Sequence, residues 1–202
     1  EEACTSGPVD QPVAIDDVKK YIADLDLNAE TRYIPEVVIS SNRLDHWDHK
    51  IAIIGSGPAG LSCAYYLATK GYKPTVFEKN EKLGGMLTYG IPAYKLEKDV
   101  IEAEIDVIRA LGVEFKTNCE VGKDITLSEL REQGYAAFYL ALGCQGSRKA
   151  NIPGEEGEGV DYAVSFLHDV ADKGNMLSGK KVAVVGGGNV AMDCARSAVR
   201  LG

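Results

Sequence analysis

Residues Ile51-Ala-Ile-Ile54 run without a break into Gly55-Ser-Gly-Pro-Ala-Gly60, and on through Leu61-Ser-Cys-Ala-Tyr-Tyr-Leu-Ala-Thr-Lys to Gly71. The short apolar run reads as a buried strand and the three glycines as a tight turn. The Ala- and Leu-containing stretch that follows reads as a helix. Strand, glycine turn and helix in this order form the opening half of a dinucleotide-binding unit. The pattern recurs, since Val182-Ala-Val-Val185 leads into Gly186-Gly-Gly-Asn-Val-Ala191 and that copy closes at Gly202. Two such units in one chain predict two nucleotides, as required to pass a hydride between a nicotinamide and a flavin.

Each glycine has a physical task. Gly55 and Gly186 permit the turn, Gly57 and Gly188 let backbone approach a pyrophosphate, and Gly60 or Ala191 lets the helix pack on its strand. Ser56, Pro58 and Ala59, like Gly187, Asn189 and Val190, carry the turn into a helix N-terminus, whose unpaired N–H groups attract phosphate. Thr75-Val-Phe-Glu78 is a second short strand ending in an acid, eighteen residues beyond Gly60. Glu78 is placed to accept hydrogen bonds from the ribose hydroxyls of an adenosine half, the alternative being a solvated charge at a strand end. The equivalent position of the second copy falls past Gly202, so the choice between NAD and NADP stays open.

The chain has 202 residues, 45% of them apolar and 26% charged, which suits an α/β protein with one sizeable core or two small ones. A net charge of −8 with no basic block argues against nucleic acid or an anionic membrane as partner, and no stretch approaches a transmembrane span. The first residue is Glu1 and no secretory signal is present, so the sequence is expected to be an excerpt of a longer protein. The cysteines Cys4, Cys63, Cys119, Cys144 and Cys194 contain no Cys-x-x-Cys pair, which points to a reducing cytoplasm and away from a redox dithiol. Cys63 and Cys194, at equivalent places in the two repeats, read as small apolar residues under a sheet.

Elsewhere, Ile15, Val18, Ile22 and Leu25 follow helical spacing with Asp16 or Asp17 near the start, and residues 27–48 read as a connector. His46-Trp-Asp-His49 is two histidines without further ligands and reads as a polar lead-in to a strand, not a metal site. A helix is expected over Leu96–Leu111, a strand over Val113–Lys116 and a buried strand over Ala136–Leu142, with Gly143 ending it where a cofactor could pass.

Glu78-Lys79-Asn-Glu-Lys-Leu-Gly84-Gly85-Met86, Tyr89-Gly-Ile-Pro92 and Lys95-Leu96 together resemble the FAD domain of the glutamate synthase small subunit family. That family also includes the flavin region of dihydropyrimidine dehydrogenase and large subunits of NADPH–ferredoxin oxidoreductases, and the resemblance covers almost the whole chain. It implies two Rossmann-like domains, both incomplete. Residues 49–160 would form an FAD domain lacking its return segment, and 161–202 the start of an NAD(P)H domain. Residues 1–48 would be the helical end of an iron–sulfur domain plus connector.

By the same resemblance, Ser56 to Gly60 would hold the FAD pyrophosphate, Glu78 and its neighbour Lys79 would lie at the ribose, and Gly84-Gly85-Met86 would pass the flavin. Lys95 would be a basic flavin contact, Val121 would meet the adenine, and Ala141-Leu142-Gly143 stands where the family has Ala-Thr-Gly, putting a hydroxyl contact there in doubt. Gly186 to Ala191 would receive the NADPH pyrophosphate, and Tyr162–Lys173 would be a helix near the crossing between domains. Cys4, in Glu2-Ala-Cys4 followed by Pro12-Val-Ala-Ile15, would be one ligand of an iron–sulfur cluster in the intact protein. The implied activity is electron input: NADPH gives a hydride to flavin N5, and single electrons leave for iron–sulfur centres of this protein or a large subunit. Other members of the family, and a non-catalytic nucleotide-binding module, are the competing readings.

Overall fold

The computed structural model describes residues 3–37, 49–174 and 180–202. They fall into two compact units, Glu1–Pro35 and Glu36–Gly202, whose boundary lies inside the expected connector. His46, Trp47 and Asp48 of the paired-histidine stretch lie outside the described residues.

The first unit contains helix α1, Ile15–Leu27, with Asp16 and Asp17 in its first turn, where they complement the positive end of the helix. Its apolar residues Val18, Ile22 and Leu25 are exposed. Asp26, at the far end, holds the chain that follows by accepting from Arg32 Nε and Nη2 at 2.9 and 2.8 Å and from the Tyr33 amide at 3.0 Å.

The second unit is built on four strands, β1 (Lys50–Ile54), β2 (Pro74–Phe77), β3 (Glu114–Lys116) and β4 (Tyr135–Leu140). All neighbours are parallel and the order is β3-β2-β1-β4. The chain therefore steps outward from β1 to β3 and then returns to the other side of β1, which puts a topological switch point between β1 and β4. Alternate strand residues feed opposite faces. Ile53 and Val76 pack with Leu61, Ala64 and Ala68 of α2 (Pro58–Thr69) and with Ile101, Ile105 and Ile108 of α4 (Lys98–Ala110). Ala52, Ile54 and Phe77 pack on the other face with Tyr135 and with Leu130 of α5 (Leu127–Glu132). Between α2 and α4 lies the one-turn helix α3 (Met86–Tyr89); α6 (Ala163–Lys173) and α7 (Asn189–Arg200) complete the order.

The expected elements appear with shifted ends: the helix over 96–111 spans Lys98–Ala110, and the strand over 113–116 begins at Glu114. Two expectations are corrected. The strand over 136–142 is Tyr135–Leu140 and is buried only at Tyr135, with Leu140 60% exposed, because β4 is an edge of the sheet. An apolar run does not tell a strand covered on both faces from an edge strand. Val182–Val185 is not a strand among the described residues and Val185 is exposed. A strand exists only as part of a ladder, and no described strand pairs with this segment.

Candidate functional site

The turn after β1 sits at the carboxyl end of the sheet beside the end of β4, at the switch point. Gly55 has φ +107°, and a Cβ there would lie 2.3 Å from the Ala141 carbonyl oxygen. Ala141 in turn donates its amide to Ile54 O at 2.8 Å, so the two strand ends are tied together under the turn. A Cβ on Gly60 would stand 1.9 Å from Gly55 O, which is why the helix must start with glycine on that side. Gly57 differs: φ −67° and ψ 179° suit any residue, and a Cβ there would meet nothing within 4 Å. The space above Gly57 is a cradle that a side chain would fill. Pro58 opens α2 without an N–H to satisfy, and the amides of Ala59 and Gly60 have no carbonyl partner within the helix. Open space at a helix N-terminus, bordered by backbone, fits a pyrophosphate.

Glu78 does more than the sequence indicated. It is 5% exposed, and its Oε2 accepts from the Ser56 amide at 2.9 Å and the Ser56 hydroxyl at 2.6 Å, while Oε1 accepts from the Asn80 amide at 2.9 Å. The carboxylate therefore braces the middle of the glycine turn from beneath. Ser56, fully buried, passes the support on: its Oγ and its carbonyl both accept from the Gly84 amide, at 3.2 and 3.1 Å. Gly85, at φ +55°, seats so close that a Cβ would approach Gly57 Cα to 2.8 Å. Gly84-Gly85 is thus needed first as a backbone layer against the turn, with Met86 half-buried just beyond it. The structural role of the Ser56 side chain was missed in the sequence; its only signal there is a small polar residue between two glycines, before an apolar strand that ends in an acid.

Of the other expected contacts, Lys79 is exposed, Val121 is half-buried beside its bridge to Ile125, and Gly143 is exposed at φ +67° after β4. Leu142, in the place of the family's threonine, is exposed. Lys95 does not lie free: its Nζ is 2.5 Å from Asp193 Oδ1, on α7.

The second turn repeats the first in its own backbone. Gly186 has φ +126°, and Gly188 caps α7 with φ −78° and ψ 173°, close to the values of Gly55 and Gly57. Cβ atoms on Gly187 and Gly188 would meet nothing within 4 Å. The sequence of the turn alone thus fixes its shape, even where the preceding segment makes no ladder. Asn189 and Val190 are exposed at the start of α7, and Ala191, standing where the first copy has Gly60, has its Cβ in ordinary contact distance of the position a Gly186 Cβ would take.

All five cysteines are free. Burial pushes the Cys63, Cys119 and Cys194 thiols upward, so they stay protonated and unreactive. Cys63 packs against the core under the sheet, as expected, whereas Cys194 is buried on α7 beside the start of α6, its Sγ 3.8 Å from Ala163 O, and belongs to neither core cluster of the sheet. Cys4 is drawn the other way by the Val13 amide, which reaches its Sγ at 3.5 Å. One thiolate cannot hold an iron–sulfur cluster, and no three metal-binding side chains come together among the described residues. None of the described helices is long and apolar enough to cross a membrane.

Residues 49–202 match the family model described as pyridine nucleotide-disulphide oxidoreductase. The whole chain is 44% identical to the NADP(+)-dependent formate dehydrogenase subunit beta of Moorella thermoacetica and 36% identical to the glutamate synthase [NADPH] small chain of Escherichia coli, spanning 31% and 44% of their lengths. A structure of FprA from Mycobacterium tuberculosis in complex with NADPH superposes with a TM-score of 0.62 at 28% identity, over 73% of this chain and 36% of that one. A doubly supported glycine turn at the switch point of a parallel sheet, a second turn of the same shape and a family match over three-quarters of the sequence lead to one conclusion: the chain belongs to the pyridine nucleotide-disulphide oxidoreductase family.

Proposed function

We propose that this chain is the electron-input portion of an FAD-dependent oxidoreductase that draws electrons from NAD(P)H, as its resemblance to glutamate synthase small chains suggests. The observation that carries the reading is the pair of glycine turns of matching dihedral angles, each with open space over its middle glycine. Residues 49–160 hold FAD: Ser56 to Gly60 receive the pyrophosphate, Glu78 keeps the turn in shape at the ribose end, and Gly84-Gly85-Met86 forms the wall toward the flavin. Val121, Ala141 and Gly143 border the same cofactor. Residues 161–202 open the NAD(P)H part, with Gly186 to Ala191 at the second pyrophosphate.

When bound, the flavin supplies hydride acceptance and one-electron release, chemistry no side chain of this chain can perform. The chain contributes position: backbone amides for the phosphates and a buried brace that keeps the turn from shifting when the cofactor binds. No side-chain acid or base is assigned. The electron acceptor is an iron–sulfur or catalytic large subunit, and the setting is the cytoplasm; Cys4 joins a cluster only if further ligands are supplied to it. The higher identity to a formate dehydrogenase subunit, 44% against 36%, favours a second reading in which the far partner handles formate.

The test is a visible spectrum of the full-length holoprotein, as distinct from this 202-residue chain, before and after anaerobic NADPH. A flavin spectrum that bleaches with NADPH is expected; a colourless protein that does not take up added FAD would exclude the reading. Partner choice follows from supplying glutamate synthase or formate dehydrogenase large subunits to the reduced protein and measuring reoxidation.

A further inference from the structure

The segment after α3 and the helix of the second glycine turn are gripped together by side chains on one stripe of α7. Asp193, Ser197 and Arg200 are spaced four and three residues apart and so share a helix face. Asp193 Oδ1 takes the Lys95 ammonium at 2.5 Å and the Tyr94 hydroxyl at 3.4 Å, and the Arg200 guanidinium lies 4.0 Å from the centre of the Tyr94 ring. Ser197 is buried between them. The Asp193 side chain is 12% exposed and that of Lys95 39%, so the pair is shielded on the acid side. A shielded carboxylate is costly to leave unpaired, which makes the pairing directional: α7 is held by Lys95 and not merely near it. Asp193 is four residues from Asn189, where α7 begins, so fixing it fixes the first turn of that helix and the glycine turn it continues. Tyr94 and Lys95 continue the chain from Gly84-Gly85, which seats on the first glycine turn.

We propose that Lys95 and Asp193 are positioning residues, an ion-pair clasp that sets the second dinucleotide turn in register with the first. This rests on the function proposed above, since register between the turns matters only if both hold nucleotides. The clasp acts on the geometry of transfer, not on the capture of either cofactor, because neither glycine turn takes a hydrogen bond from either side chain.

The experiment uses Lys95→Met, Asp193→Asn and the exchanged pair Lys95→Asp with Asp193→Lys in the FAD-loaded holoprotein. Three quantities are read: bound FAD per chain, NADP+ affinity by calorimetry, and the rate of flavin reduction by NADPH in stopped flow. A fourth is hydrogen exchange across α7. Asp193→Asn is expected to leave FAD content intact, and both single changes to leave NADP+ affinity within about threefold; loss of FAD with Lys95→Met but not with Asp193→Asn would return Lys95 to a flavin contact and overturn the clasp. The reduction rate should fall by ten- to a hundredfold, the α7 amides should exchange several-fold faster, and the exchanged pair should recover most of both. Singles that reduce at the unaltered rate, or an exchanged pair no better than the singles, would overturn the clasp. If the unaltered protein binds no FAD or is not reduced, the functional reading fails on its own. The clasp is then judged by hydrogen exchange alone, and overturned if the singles leave α7 protected.

Discussion

At Gly57 an added methyl meets no atom within 4 Å, while at Gly60, three residues on, it would collide with Gly55 O. The two glycines are therefore separable by experiment. Gly57→Ala should fold with an unchanged melting temperature and lose about tenfold or more in FAD affinity, since the methyl occupies the phosphate cradle; Gly57→Val should lose more. Gly60→Ala should lose more than about 2 kcal/mol of stability, because the contact is with backbone that cannot swing aside. Calorimetric unfolding beside FAD titration distinguishes the two, and equal effects at both positions would show that the cradle has been misplaced. Glu78 tests the brace. Removing its carboxylate strands the Ser56 amide, the Ser56 hydroxyl and the Asn80 amide in a nearly closed site, so Glu78→Ala should cost about 2–4 kcal/mol and weaken FAD together with it. A Glu78→Ala protein that unfolds normally but binds FAD poorly would return the residue to the ribose alone.

Among the elements, α5 carries the clearest local device. Thr126 Oγ1 accepts from the Glu129 amide at 3.2 Å, and the Glu129 carboxylate accepts from the Thr126 amide at 2.7 Å and the Thr126 hydroxyl at 2.8 Å, a complete capping box. Leu130, fully buried, ties this helix to the Phe77 and Tyr135 side of the sheet. Thr126→Ala should cost about 1 kcal/mol, or roughly 2–4 °C in a chain of this size. The Thr126 amide, and after it the hydroxyl, hold the Glu129 carboxyl below the ordinary glutamate range. A lowered carboxyl contributes stability above its unfolded pKa and loses it as pH falls through the folded one. Thermal melts of Glu129→Gln against the unaltered chain should therefore differ at neutral pH, and the gap should begin to close only below about pH 4 and vanish once the pH is well under the lowered folded value; a gap unchanged at the most acid pH where both still fold would show that charge is not what the box uses.

For the second unit as a whole, the two turns stand in unequal surroundings. The first lies over a four-stranded sheet with helices on both faces, whereas the second follows Val182–Val185, which pairs with no described strand. In this 202-residue chain the amides of 51–54 should be strongly protected from hydrogen exchange and those of 182–185 should exchange fast. NADPH should accordingly bind weakly and bleach bound flavin slowly. Rapid bleaching in this chain would show that the second turn needs no further sheet. The same contrast bears on reading function from sequence, because the first two glycines are spaced alike at both places, with Ala191 standing for the third in the second copy, while the layer beneath differs.

Ile51–Ile54, the glycine spacing and Thr75–Glu78 were legible in the sequence because they depend on local chemistry: strand periodicity, backbone conformations open only to glycine, and the free amides of a helix start. The dihedral angles of Gly186 and Gly188 make the point, since they match those of the first turn without a ladder to impose them. Other features depended on residues far apart in the chain. That Glu78 would turn inward to Ser56, that Gly84-Gly85 would lie against Gly57, that Lys95 would be claimed by Asp193 and that β4 would be an edge were decided by which elements became neighbours. A buried carboxylate takes whatever donors the fold brings to it, and a strand is covered only where another layer arrives, so these outcomes belong to the tertiary structure.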